Sequence, residues 1–99
     1  MPSKNPDHER AQERVRAAVR VSLDGRTIGL TRDISPAGVV FDTDVDMTTG
    51  SSIQFALVFD NPEGELKLDC WGEVVRVEKA EEKNRVAIKI LQSRLERFA

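Results

Sequence analysis

Apolar and polar residues alternate with a period of two along most of the chain. Val15, Ala17, Val19, Val21 and Leu23 share one parity, with Arg16, Ala18, Arg20 and Ser22 on the other. A helix would repeat its apolar face every three to four residues, so this pattern predicts a half-buried β-strand. Asp24-Gly25 follows as a hairpin signal, because both residue types tolerate the positive φ of a two-residue turn. A second strand over about 26–34 carries Ile28 and Leu30 on one face. It ends at Ser35-Pro36-Ala37-Gly38, where proline lacks an N–H and glycine reaches conformations closed to other residues. Val39-Val40-Phe41 predicts a short third strand, followed by an acidic loop through Asp42, Asp44 and Asp46 to Gly50. Ile53, Phe55, Leu57 and Phe59 give a fourth strand its inward face, and Asn61-Pro62-Glu63-Gly64 makes the next turn.

The fifth strand is long, about 65–78. Leu66, Leu68 and Cys70 lie on one parity and Val75 and Val77 on the other, which predicts a bulge or sharp bend near Gly72. The charged run 78–84 reads as a hairpin loop, and Val86, Ile88 and Ile90 open the last strand. Leu91, Leu95 and Phe98 then fall at helical spacing, predicting a short amphipathic C-terminal helix over one barrel opening. The fold class is therefore all-β, with six short strands in a barrel or sandwich; closure into a barrel removes the edges a small sheet otherwise exposes. Residues 1–13, polar and with two prolines, read as a flexible leader, and 14–99 as the barrel domain.

Bulk properties narrow the function. A chain of 99 residues fits one domain. No stretch approaches the roughly 18 apolar residues of a membrane span, and 1–16 lacks the apolar run of a secretory signal, so a cytoplasmic location is expected. Cys70 is the single cysteine, in a strand-like setting that suits a structural thiol, and His8 is the single histidine. A multi-cysteine zinc site and histidine-centred catalysis are thereby excluded, and no enzyme, metal or cofactor is expected. The aspartates at 42, 44 and 46 suit a divalent cation in principle, but alternating aspartates in a surface loop ordinarily serve solvation.

The net charge of -2 hides an asymmetry: residues 1–36 hold seven Lys/Arg and five Asp/Glu, residues 37–99 eight and twelve. A nucleic-acid-binding barrel wants a broad basic field and exposed aromatics, whereas Phe55 and Phe59 share their strand's core parity. A small anionic ligand suits the local basic character better than DNA or RNA.

Two constellations can carry that binding. Arg10 and Arg14 stand four apart, just before the first strand; a guanidinium donates paired bonds to phosphate oxygens or a guanine edge and stacks on bases. By spacing alone such a pair is equally at home as solvated surface. The second is Asp33-Ile34-Ser35-Pro36-Ala37-Gly38. A carboxylate at Asp33 accepts from the N1 and N2 donors of guanine, Ser35 donates to an acceptor, and Gly38 permits close backbone approach. The alternative is an ordinary turn in which Asp33 and Ser35 bond their own backbone.

Together the two motifs change the balance. Arg10-x-x-x-Arg14 followed by Asp33-x-Ser35-x-x-Gly38 resembles the signature of the PilZ domain family, and Trp71-Gly72-Glu73-Val74-Val75 is similar to the Gly-x-Val stretch of its long fifth strand. The resemblance implies a six-stranded antiparallel barrel with a trailing helix, binding cyclic di-GMP without acting on it. Arg10 and Arg14 would take the phosphates and guanine faces, Asp33 and Ser35 the guanine edge, and Gly38 the pocket floor. It also implies a downstream protein effector in motility, biofilm formation or secretion, and a monomer or weak dimer. The alternative is a PilZ-like interaction domain with weak nucleotide binding or none. Many members carry adjacent arginines at the front of the leader, where this chain has Glu9; an acidic side chain there repels additional phosphate, so one ligand per protomer is expected.

Overall fold

The computed structural model describes residues 18–98. Six antiparallel strands close a barrel: β1 (Arg20–Leu23), β2 (Arg26–Ser35), β3 (Gly38–Thr43), β4 (Ser52–Asn61), β5 (Gly64–Ala80) and β6 (Lys83–Phe98). The strand order around the barrel is β1-β2-β3-β6-β5-β4, so the last strand lies between the third and the fifth. The core consists of alternating inward residues from every strand except β2, including Val21, Phe41, Leu57, Cys70, Val74 and Ile88, all buried. From β2, Ile28 and Ile34 pack against it while partly buried. Asp24 and Gly25 adopt φ of 54° and 82°, as the hairpin signal requires.

The departures from simple alternation are bulges. In β2, Val21 pairs with Gly29 but Ser22 with Thr27, leaving Ile28 as an extra residue. Thr31 then pairs with Phe41 and Asp33 with Val40, leaving Arg32 as a second. Two bulges move the inward phase along β2: Thr31 is buried, while Leu30, expected beside Ile28 on the core face, is 51% exposed. In β5, Val74 pairs with Ile88 and Arg76 with Ala87, so the extra residue is Val75. A register shift also falls at Gly72 itself, as expected: Trp71 pairs with Gln92 but Gly72 with Ile90, leaving Leu91 of β6 as the extra residue. Val75 is therefore a second irregularity three residues on, with Val74 buried and Val75 exposed.

One expected element is absent. Residues after Ile90 continue β6 as strand to Phe98, paired with β5 through Trp71↔Gln92, Leu68↔Leu95 and Glu65↔Phe98, and no C-terminal helix forms. A spacing of four, as between Leu91 and Leu95, satisfies both a helical face and a strand's even parity, so it did not distinguish the two. Neither glycine nor proline interrupts β6, and β5, already extended, offers a complete ladder of hydrogen-bonding partners.

No helix among the described residues is long and apolar enough to cross a membrane.

Candidate functional site

The chain enters the barrel under tight control. The backbone N–H of Val19 donates to Oγ1 of buried Thr31 at 3.0 Å, and the N–H of Thr31 returns a bond to the Val19 carbonyl at 2.9 Å. Next to this root, Arg20 donates to Asp60 at 2.8 Å and to Glu65 at 2.9 Å, and these bonds raise the pKa of its guanidinium. The first strand is thus fixed at a point two residues from Asp33 on the neighbouring strand.

Past the Arg32 bulge, Asp33 and Ser35 lie on the same face of β2, with Ile34 between them turned to the core. Both line an open cleft of about 510 Å3 on the outside of the barrel. Gly38 and Val40 of β3, Ala87 and Lys89 of β6, and Arg76 of β5 continue its floor and walls. The cleft is built across β2, β3, β6 and β5, which become neighbours because β6 inserts between β3 and β5.

Each residue of the turn motif has a distinct local role. Ser35 Oγ donates to the Gly38 carbonyl at 3.4 Å, a long bond that closes the Pro36-Ala37 turn. Gly38 is not among the positive-φ glycines; its lack of a side chain matters because a Cβ there would stand 2.7 Å from the Ile88 carbonyl oxygen. The ordinary-turn reading of Ser35 is therefore realised, and the same geometry leaves Asp33, Ser35 and Gly38 together on the cleft. Arg10 and Arg14 lie outside the described residues.

Sequence reasoning missed the cleft's basic rim. Its lining includes Arg32, Arg76, Arg85 and Lys89 against Asp33 and Glu78, a cationic excess on a chain of net negative charge. Alternation marks Lys89 and Arg85 as outward, but only the strand order reveals that they face the Asp33 turn. Asp42 organises two of these arginines: it accepts from Arg32 at 3.1 Å and from Arg85 at 3.0 Å. Partial burial works against its ionisation, but the two guanidinium groups outweigh that and hold its carboxyl below the usual value. The same bond raises the pKa of Arg85.

The other candidate chemistry is committed elsewhere. Asp44 pairs with Lys83 at 3.1 Å, and Asp46 accepts from Asn84 at 3.3 Å. Among the described residues no group of three or more His, Cys, Asp or Glu side chains is placed to hold a metal ion. Cys70 is fully buried, and burial pushes its thiol up to about 11, far from the thiolate a nucleophile requires.

Comparison with known proteins agrees with this geometry. The solved structure of the Bacillus subtilis inhibitor of motility (MotI/DgrA) matches with a TM-score of 0.68 at 15% identity, over 82% of this chain and 42% of that one. At that identity the likeness concerns the fold, and the chain spans less than half the length of that protein. No curated protein sequence matches the chain. The model of the PilZ domain matches residues 7–98, taking in both motifs and all six strands, and the chain belongs to the PilZ domain family of non-catalytic cyclic di-GMP receptor modules.

Proposed function

We propose that this chain binds one cyclic di-GMP per protomer in the cleft beside Asp33 and passes its occupancy to a protein partner in the cytoplasm. The observation that carries the reading is the placing of Asp33, Ser35 and Gly38 on one cleft whose rim is cationic, in a protein whose net charge is negative. A dianionic dinucleotide needs both features: positive charge for its phosphates and an anionic acceptor for the guanine N–H groups.

In this reading residues 1–13 form a leader that carries Arg10 across the cleft, and 14–99 form the barrel domain. Arg14 is four positions before Ala18, a span of at most about 14 Å of extended chain at about 3.3–3.6 Å per residue. Arg32 lines both the groove beside Ala18 and the cleft itself. Arg10 and Arg14 then bind the phosphates and stack on the guanines, while Asp33 and Ser35 read the guanine edge above Gly38. Ligand binding orders the leader against the barrel, at a cost of about 1–2 kcal/mol per residue fixed, and the ordered leader is the surface a partner reads. A component of motility, biofilm formation or secretion suits that role; the relative of like fold is itself an inhibitor of motility.

Calorimetric titration with cyclic di-GMP, with GMP and cyclic di-AMP as controls, tests the reading on this protein and on Arg14→Ala. Saturable binding with one ligand per chain is expected, and Arg14→Ala loses about tenfold to a hundredfold in affinity, as for a lost charge-assisted bond. No binding by the parent protein would leave an interaction domain without nucleotide control.

A further inference from the structure

The second half of β6 has a partner on one side alone among the described residues. β3 covers β6 from Asn84 to Lys89, whereas Gln92–Phe98 pairs with β5 and with no other strand. The segment contains no proline or lysine, the residues that commonly guard such an edge; it exposes Leu95 at 57%, and Leu91 just before it is 62% exposed.

Its side chains carry a charge pattern that is self-complementary. Arg94 stands opposite Asp69 of β5, and Glu96 opposite Lys67. Along the strands, Arg94 pairs with Glu96 at 3.0 Å and Lys67 with Asp69 at 3.9 Å. The four charges form a checkerboard on one face, while Leu95, opposite Leu68, lies on the other face.

We propose that two copies of this chain join edge to edge through this part of β6, antiparallel, with Leu95 of one copy opposite Leu95 of the other. In that register Arg94 meets Glu96 of the second copy, and Glu96 meets its Arg94. The sheet then reads Lys67, Glu96, Arg94, Asp69 across the join, alternating in sign without a break. Centring the pairing on Arg94 or on Glu96 instead places like charges opposite one another, which disfavours those registers. The two-fold axis uses the edges of both copies at once, so the assembly closes as a dimer and does not grow.

Sedimentation velocity on the full chain over a wide concentration range tests the proposal, with circular dichroism to verify folding of each variant. The parent protein is expected to dimerise. Arg94→Glu and Glu96→Arg, each alone, put like charges at both symmetric contacts and raise the dissociation constant about tenfold or more. An equimolar mixture of the two single variants restores the dimer, as does the double variant Arg94→Glu/Glu96→Arg, because opposite charges again face each other. A parent protein that stays monomeric overturns the proposal, and the edge is then covered by something other than a second copy. Single variants that dimerise as well as the parent, or a mixture that fails to recover, overturn the register.

Discussion

Gly38 of β3 and Gly72 of β5 approach the same point of β6 from opposite sides. A Cβ on Gly38 would stand 2.7 Å from the Ile88 carbonyl oxygen, and one on Gly72 would meet the Lys89 carbonyl oxygen and stand 2.7 Å from Ile88 Cγ2. The two glycines let three strands close up where the cleft floor is laid, yet only Gly38 lines the cleft. Alanine at either position forces backbone to move, so Gly38→Ala and Gly72→Ala are each expected to cost about 1–3 kcal/mol, measured by urea denaturation. Titrated under conditions where both are folded, Gly38→Ala loses affinity for cyclic di-GMP and Gly72→Ala keeps it. Equal losses would show that Gly38 acts through the fold alone.

Asp33 is the one carboxylate of the signature. Its removal in Asp33→Ala takes away the acceptor for the guanine N–H donors and lowers affinity by about tenfold to a hundredfold. Asp33→Asn keeps one acceptor oxygen in the same place and recovers part of that loss. Discrimination against cyclic di-AMP, measured by competition, narrows in Asp33→Ala.

Thr31 ties Val19, the residue before β1, to the strand that carries Asp33. Replacing its hydroxyl in Thr31→Val leaves the Val19 N–H without its acceptor at a buried site, a loss of about 1–3 kcal/mol in unfolding free energy. Thr31→Ser retains the hydroxyl and most of the stability. If Arg10 and Arg14 bind as proposed, Val19 fixes where their segment joins the barrel, so Thr31→Val also weakens cyclic di-GMP binding while Thr31→Ser does not, which titration of the two folded variants checks.

The Asp42 carboxylate titrates below its unfolded value of 3.8 because Arg85 and Arg32 overcome the opposing effect of burial. Between the two pKa values the unfolded chain binds more protons than the folded one, so stability rises with pH through that interval. Its contribution is fully present above about pH 4 and is lost as the pH falls through the lower, folded pKa. Asp42→Asn therefore lowers the urea midpoint at pH 7, and the difference from the parent protein shrinks toward zero as the pH falls through the folded pKa of Asp42. A difference that persists at the lowest pH would assign the effect to packing.

The barrel was legible because hairpin turns and alternation are local signals. Asp24-Gly25, the Phe55–Leu57–Phe59 face and the pair Leu68 and Cys70 all fall where periodicity puts them. Two kinds of error remained. The irregularity expected near Gly72 is present between Trp71 and Gly72, but the bulges at Arg32 and Val75 add further one-residue shifts, and a bulge is set by what the neighbouring strand does, which a single strand's sequence does not carry. The tail after Ile90 was misread as helix because Leu91 and Leu95 fit both periods, and pairing with a long β5 decides between them. The turn from Ser35 to Gly38 was readable from its residue types. The basic rim of Arg76, Arg85 and Lys89 was not, since it exists only when β6 inserts between β3 and β5.

In the proposed one-ligand complex, Glu9 is the residue expected to keep a second ligand out. A second cyclic di-GMP stacked on the first adds two further phosphates near the front of the leader, and a carboxylate there raises the energy of that complex whereas a guanidinium lowers it. Glu9→Arg replaces repulsion by a paired-bond donor and places adjacent arginines at 9 and 10, with no change to Asp33 or Ser35. Calorimetry is expected to give one ligand per chain for the parent protein and a stoichiometry approaching two for Glu9→Arg. Glu9→Gln separates charge from donor geometry: it removes the repulsion without supplying a guanidinium, so its stoichiometry stays near one. A parent protein that already binds two ligands per chain would refute the role assigned to Glu9.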